Sequence, residues 1–184
     1  MAENLNDKEW EAKVLNDIAL VYKKKGSFKL SLEYAKKALE VAQENNNSYQ
    51  VRSYLNNLAN LYRRFGDYEA SLEYHFKALV MMEELNDSVG IAISNGNIGL
   101  VYDEIKDNQT ALEYYQKALK INKSLNRYEG IIINLNNIGH IYIDLEQSSK
   151  AKNYFLNQKN CLVYKEIQLT YPIAISAWLK FIIT

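Results

Sequence analysis

Side chains able to do acid, base, nucleophilic or metal chemistry are few in this chain. Histidine occurs twice, as His75 and His140, and cysteine once, as Cys161. No cysteine, aspartate or glutamate stands at ligand spacing from either histidine, so a metal site is not expected. A lone cysteine excludes an internal disulfide and a cysteine-based zinc site. No neighbouring histidine can activate Cys161, which is therefore expected to be an inert, half-buried thiol. The sequence contains no Gly-x-Gly-x-x-Gly, Walker loop, His-Glu-x-x-His or Gly-x-Ser-x-Gly, so the common nucleotide and hydrolase signatures are missing. Acidic runs such as Glu83-Glu84 and Asp103-Glu104 are expected to be solvated helix faces. The chemistry that remains is recognition, with no catalytic residue and no cofactor expected.

The elements that position such residues follow from composition and period. Across 184 residues the chain is 48% hydrophobic and 24% charged with 7 Gly and 1 Pro, enough apolar surface for a core and too few breakers for an all-β fold. Lys+Arg and Asp+Glu are both 22, and the pI of 6.7 gives no general attraction to nucleic acid or to an anionic membrane. The start, Met1 to Asp7, lacks the basic and apolar regions of a signal peptide, so a cytoplasmic location is expected.

Eight of the 15 tyrosines fall on two ladders of period 40: Tyr22, Tyr62, Tyr102 and Tyr142, then Tyr34, Tyr74, Tyr114 and Tyr154. The text before the first ladder recurs, as in Leu55-Asn-Asn-Leu-Ala-Asn-Leu-Tyr62 and Leu135-Asn-Asn-Ile-Gly-His-Ile-Tyr142. Such fixed-period self-similarity is the signature of a repeat architecture. Leu55, Leu58, Ala59 and Tyr62 lie at i, i+3, i+4 and i+7, one face of a helix, helix A. Leu72, His75, Ala78, Leu79 and Met82 mark a second, helix B, with His75 in its packed aromatic slot. Gly26 and Gly66 are placed to end helix A with φ > 0, while Asn45-Asn46-Asn47-Ser48 and Asn86-Asp87-Ser88 separate repeats and supply N-caps. Ala19, Ala59, Gly99 and Gly139 sit where a small side chain lets the helices approach closely and leaves an aromatic room to pack.

Leu58-Ala59-x-x-Tyr62-x-x-x-Gly66-x-Tyr68 with Ala78-Leu79 resembles the tetratricopeptide repeat. The resemblance runs over about residues 8–165 and is met four times in register. The 40-residue period, longer than the usual 34, is similar to that of the long-repeat branch found in kinesin light chains, cell-polarity adaptors and bacterial regulatory proteins. HEAT-type repeats share the length but not the Leu-Ala/Gly-x-x-Tyr phrase. The resemblance implies an all-α, right-handed α-solenoid of antiparallel helix pairs. Its expected units are 8–47, 48–87, 88–127 and 128–167, followed by a capping helix or truncated fifth repeat over 170–184, all within one array, 1–184. Two departures accompany this. Met1 to Asp7 resembles Met81 to Asp87, as if the chain began at the tail of a preceding helix B. In the fourth, degenerate helix B, Lys152, Gln158 and Lys159 replace apolar residues, leaving Tyr154, Phe155 and Leu162 to carry the stripe.

An array of this kind curls, with helix A on the concave side. Opposite the packed stripe, one hundred degrees per residue places Lys13, Asn16, Asp17, Leu20, Lys23 and Lys24 in repeat one, and Ser53, Asn56, Asn57, Asn60, Arg63 and Arg64 in repeat two. Repeat three contributes Ile93, Gly96, Asn97, Leu100, Asp103 and Glu104, and repeat four Ile133, Asn136, Asn137, His140, Ile143 and Asp144. The resemblance implies that the recurring asparagines clamp the backbone of an extended peptide, since an amide donates and accepts at once. The alternative is that they bond neighbouring helices and hold the superhelix. The outward pairs Lys23-Lys24 and Arg63-Arg64 against Asp103-Glu104 and Asp144 predict a groove basic at one end and acidic at the other, the two ends acting separately. The expected function is a non-catalytic scaffold that captures a protein or peptide partner. An input or regulatory module of a larger bacterial signalling protein is the second reading. A self-assembling element, with homo-oligomerisation through the apolar C-terminal helix, is the third. The terminal apolar stretch is too short to span a bilayer, and no membrane partner is expected.

Overall fold

The computed structural model describes residues 2–170 and contains eight helices there: α1 (Ala2–Lys24), α2 (Phe28–Glu44), α3 (Ser48–Phe65), α4 (Tyr68–Glu84), α5 (Ser88–Glu104), α6 (Asn108–Ser124), α7 (Tyr128–Asp144) and α8 (Ser148–Thr170). Odd-numbered helices are helix A and even-numbered ones helix B. Each packs on its neighbours in sequence, and α1 also meets α3 as α5 meets α7. Helices A therefore share one layer, the inner layer of a right-handed α-solenoid.

Every turn ends its helix on one left-handed residue. Gly26, Gly66, Lys106 and Glu146 close the A-to-B turns, and Asn46, Asn86 and Asn126 the B-to-A turns, with φ between 51° and 79°. Glycine takes this conformation without strain, and asparagine tolerates it. Lys106 and Glu146 have no such excuse, so Glu146→Gly should stabilise the array by roughly 0.5–1 kcal/mol, read as a rise in the urea midpoint. The following helices are capped as expected: Asn47 and Asp87, and likewise Asp67 and Asp107, accept the backbone N–H three residues on.

Within each repeat the core is a fitted pair. A Cβ on Gly99 would lie 2.9 Å from the Tyr115 ring, and one on Gly139 would lie 2.7 Å from Phe155. At the equivalent places of the first two repeats, Ala19 and Ala59 on helix A stand against Ala35 and His75 in register, all four buried. In repeats two to four the small residue thus makes room for helix B's ring, His75, Tyr115 or Phe155, and not for the ladder tyrosine. The ladder tyrosines stack on one another instead: Tyr22 on Tyr34, Tyr62 on Tyr74, Tyr102 on Tyr114 and Tyr142 on Tyr154, with centroids 5.4–5.7 Å apart. Between repeats a second exchange operates. Gly90 receives Met82, and Gly130 receives the amide of Asn122, at distances (2.4 Å from an added Cβ) that no side chain could share.

Three expectations need correction. Residues 2–7 are not the tail of a separate helix B, because α1 runs unbroken from Ala2 to Lys24. The reversal at Asn86 is stabilised by α3 and α5 packing on either side of α4, and the described residues offer no such earlier partner to α1. The fourth helix B runs to Thr170, beyond the point at which α2, α4 and α6 stop. Where they are followed by a left-handed asparagine, this helix has Glu166, which continues it. Leu162 does not carry the stripe of α8: it is exposed, whereas Ala151 is buried. The capping helix or truncated repeat expected over 170–184 lies, from residue 171 on, outside the described residues.

Candidate functional site

The helix A face is built by the same register that buries Leu55, Leu58 and Ala59. Asn16, Asn56, Asn57, Asn60, Asn97, Asn136, Asn137, Leu20 and Leu100 are half-buried on its far side, while Lys13, Asp17, His140, Ile93 and Ile133 are exposed. The described residues hold no group of histidine, cysteine and carboxylate side chains able to bind a metal.

The asparagines are largely used by the protein itself. Asn57 donates from Nδ2 to Asn16 Oδ1 at 2.9 Å, and Asn97 donates to Asn56 Oδ1 at 3.4 Å, both from one repeat to the preceding one. Asn60 donates to the carbonyl of Asn56 and Asn56 to that of Arg52, within their own helix. Asn136 accepts from Gln158 of α8 at 3.4 Å. Asn56 Oδ1 also faces His75 Nδ1 at 3.3 Å, so the neutral imidazole donates there. His75 Nε2 is buried with no partner. Burial, then the nearby Arg63 charge, lowers the His75 pKa to about 4. Through repeats one to three, then, the amide ladder bonds helices together, as the structural alternative expected.

The ladder has a gap. The next rung would join Asn137 to residue 96, and residue 96 is glycine. A cavity of about 240 Å³ opens at that point between α5 and α7, walled by Ile93, Leu100 and Ile133 with Asn97 and Asn137 at its edge. A wider hollow of about 670 Å³ lies against α8 beside Ile143, Ala151, Phe155 and Leu156. One period earlier the same surface, Ala111, Leu112 and Tyr115, is packed under Ile131, Leu135 and Ile138 of α7.

The charges divide less cleanly than the sequence suggested. Lys24 and Arg64 are exposed, and neither takes part in the ion pairs found among the described residues. Arg63, however, pairs with Glu104 across the junction of repeats two and three, and Lys106 with Asp144 at 3.0 Å. The basic and acidic halves meet and partly cancel at the middle. Burial raises the Asp103 pKa; Lys106 opposes this, while Asp144 and Glu104 add to it. Cys161 is half-buried and its thiol is pushed up, first by burial, in keeping with an unreactive cysteine.

With this geometry established, comparison with known proteins is decisive for the family. The sequence matches the tetratricopeptide repeat profile over residues 10–84, 50–124 and 90–156, three windows starting 40 residues apart. The chain belongs to the tetratricopeptide repeat family. No curated protein matches it. Among solved structures, this repeat array is similar to BtubC from P. vanneervenii (21% identity, TM-score 0.75, covering 84% of this chain and 64% of that one). It is also similar to the apo form of RapI (24%, TM-score 0.76, 84% and 43%) and to aspartyl phosphate phosphatase F from Bacillus subtilis (18%, TM-score 0.79, 86% and 42%). The chain thus spans less than two thirds of each of these proteins. At such identities the likeness is one of fold. Tetratricopeptide arrays are protein-interaction scaffolds, and none of the helices among the described residues is long and apolar enough to cross a membrane.

Proposed function

We propose that the chain captures an extended segment of a protein partner on the helix A face, without catalysing a reaction on it. The observation that carries this reading is the half-open inner layer. Apolar side chains, amides and charges alternate along it, and a cavity lies between α5 and α7. Leu20, Leu100, Ile133 and Ile143 supply apolar contact. Lys24 and Arg64 at one end, and Asp103 at the other, give the segment a direction, acidic over repeats one and two and basic over repeats three and four. Arg63 is a poor probe of this, since reversing its charge would set two carboxylates against each other at Glu104. The test is a random heptapeptide display library selected on the protein, with one selected peptide titrated by fluorescence anisotropy. Lys24→Glu with Arg64→Glu should weaken binding at least severalfold and flatten its salt dependence while the unfolding midpoint stays put. Unchanged binding would remove charge from the mechanism.

A regulatory or sensor module of a larger protein is the second reading, supported by similarity to Rap proteins and to a STAND signal-transduction ATPase with a tetratricopeptide repeat sensor from Pyrococcus horikoshii, 24% of which this chain spans. Self-association through the C-terminal part of the chain is the third, supported by the apolar hollow against α8.

A further inference from the structure

Gly96 has no packing reason to be glycine. It lies mid-helix in α5 with ordinary helical geometry, and a Cβ there would meet nothing closer than Asn134 Oδ1 at 3.7 Å. This sets it apart from Gly90, Gly99, Gly130 and Gly139, each pressed by a neighbouring side chain. A glycine in a helix interior weakens the helix, and here it also removes the acceptor that Asn16 and Asn56 provide in the two preceding repeats. The result is a hole of about 240 Å³, smaller than the roughly 300 Å³ at which small-molecule pockets begin and suited to one side chain. Ile93, Leu100 and Ile133 give it an aliphatic wall, Asn122, Arg127, Glu129 and Asn134 line the rest, and Asn137 at its rim, with no side chain at residue 96 to bond, faces the Tyr115 hydroxyl of the preceding repeat instead.

We infer that the break at Gly96 is a seat for one aliphatic side chain of an extended peptide. This deepens the groove-capture reading and rests on it. The occupant's second requirement is set by charge. Asp103, which takes part in none of the ion pairs among the described residues, lies about two turns further along α5, roughly 10 Å away, while Glu104 and Asp144 beside it are already paired with Arg63 and Lys106. An extended chain covers that distance in about three residues. The seat is therefore complementary to a leucine or isoleucine followed or preceded, two or three residues away, by lysine or arginine.

The probe is a set of fluorescein-labelled heptapeptides on an alanine-serine background, carrying one leucine and one arginine two or three residues apart, with leucine→serine and arginine→glutamate versions. Wild-type protein should bind the parent at least tenfold more tightly than the serine version, by anisotropy. Gly96→Asn should complete the ladder, raising the thermal midpoint by about 2–4 °C, and should reduce that discrimination to within twofold. Ile133→Ser alters only an exposed wall of the seat, with Ile133 58% exposed, so it leaves folding intact and should reduce the discrimination as well. Discrimination unchanged in both variants overturns the seat. Peptides that bind and sense the arginine but not the leucine overturn the seat and leave groove capture standing. No binding of any of these peptides, together with an empty display selection, overturns both.

Discussion

Gly99→Leu should destabilise the array by about 3 kcal/mol, the upper end of what overpacking a well-filled core costs. The first added carbon would sit 2.9 Å from the Tyr115 ring, and Tyr115 is completely buried, so neither partner can give way into solvent. Asn60→Ala on the outward face should change stability by less than about 0.5 kcal/mol, because its amide bonds only a carbonyl of its own helix. Urea unfolding separates the two. Equal effects would mean that the helix A stripe has been assigned to the wrong face. A sharper version exploits the exchange seen between repeats. Gly99→Ala alone should be harmful, whereas Gly99→Ala with Tyr115→His recreates the pair that Ala59 and His75 form in repeat two, and should recover most of the loss. Additive costs in that double-mutant cycle would deny that the two positions are matched in size.

The second large effect is a dependence on pH that resides in one side chain. His75 is neutral when folded, with its pKa lowered to about 4, and titrates near 6.5 when unfolded. Above pH 6.5 both states are neutral and the residue contributes nothing to pH dependence. Between 6.5 and 4 the unfolded chain takes up a proton that the folded chain refuses, so stability falls as pH falls, by up to about 1.4 kcal/mol per unit. From pH 6.5 to 5 this amounts to about 2 kcal/mol. His75→Phe combined with Ala59→Gly copies the Phe155 and Gly139 pair and should remove that loss while retaining a packed core. Urea midpoints for the two proteins at pH 7 and pH 5 measure it. Parallel losses in both would place the acid sensitivity elsewhere.

How much of this was legible in the sequence depended on whether a feature repeats or compensates. The 40-residue period, the two helices per unit, Gly26 and Gly66 in left-handed turns, and the capping by Asn47 and Asp87 could all be read because each recurs as the same or a chemically similar residue doing the same work. Lys106 and Glu146 occupy the same turn conformation with neither glycine nor asparagine. The helices on each side impose the turn, so no local signal marked it. Compensation was harder still. Gly99 with Tyr115 and Gly130 with Asn122 are pairs in which one residue shrinks as its partner grows, and neither member alone discloses the other. The ladder tyrosines were conspicuous, but only the fold shows that the two ladders face each other. On the candidate site the helical wheel found the correct face, yet could not tell an amide offered to a ligand from one already bonded to the next repeat. Arg63 likewise looked outward by angle and turned out to be tied to Glu104.

The near-exclusive pairing of each helix with its neighbours in sequence bears on how the protein is made. Contacts this local place the chain among fast folders, with hairpins closing in well under a second, whereas a ribosome needs about 2–8 s to add 40 residues. Each helix pair can therefore be complete, its two tyrosines stacked, before the next has left the exit tunnel. At any moment during synthesis the growing end exposes one uncovered helix B face and little else. The array is assembled in the order in which it is read, and its aggregation risk is confined to a single moving edge.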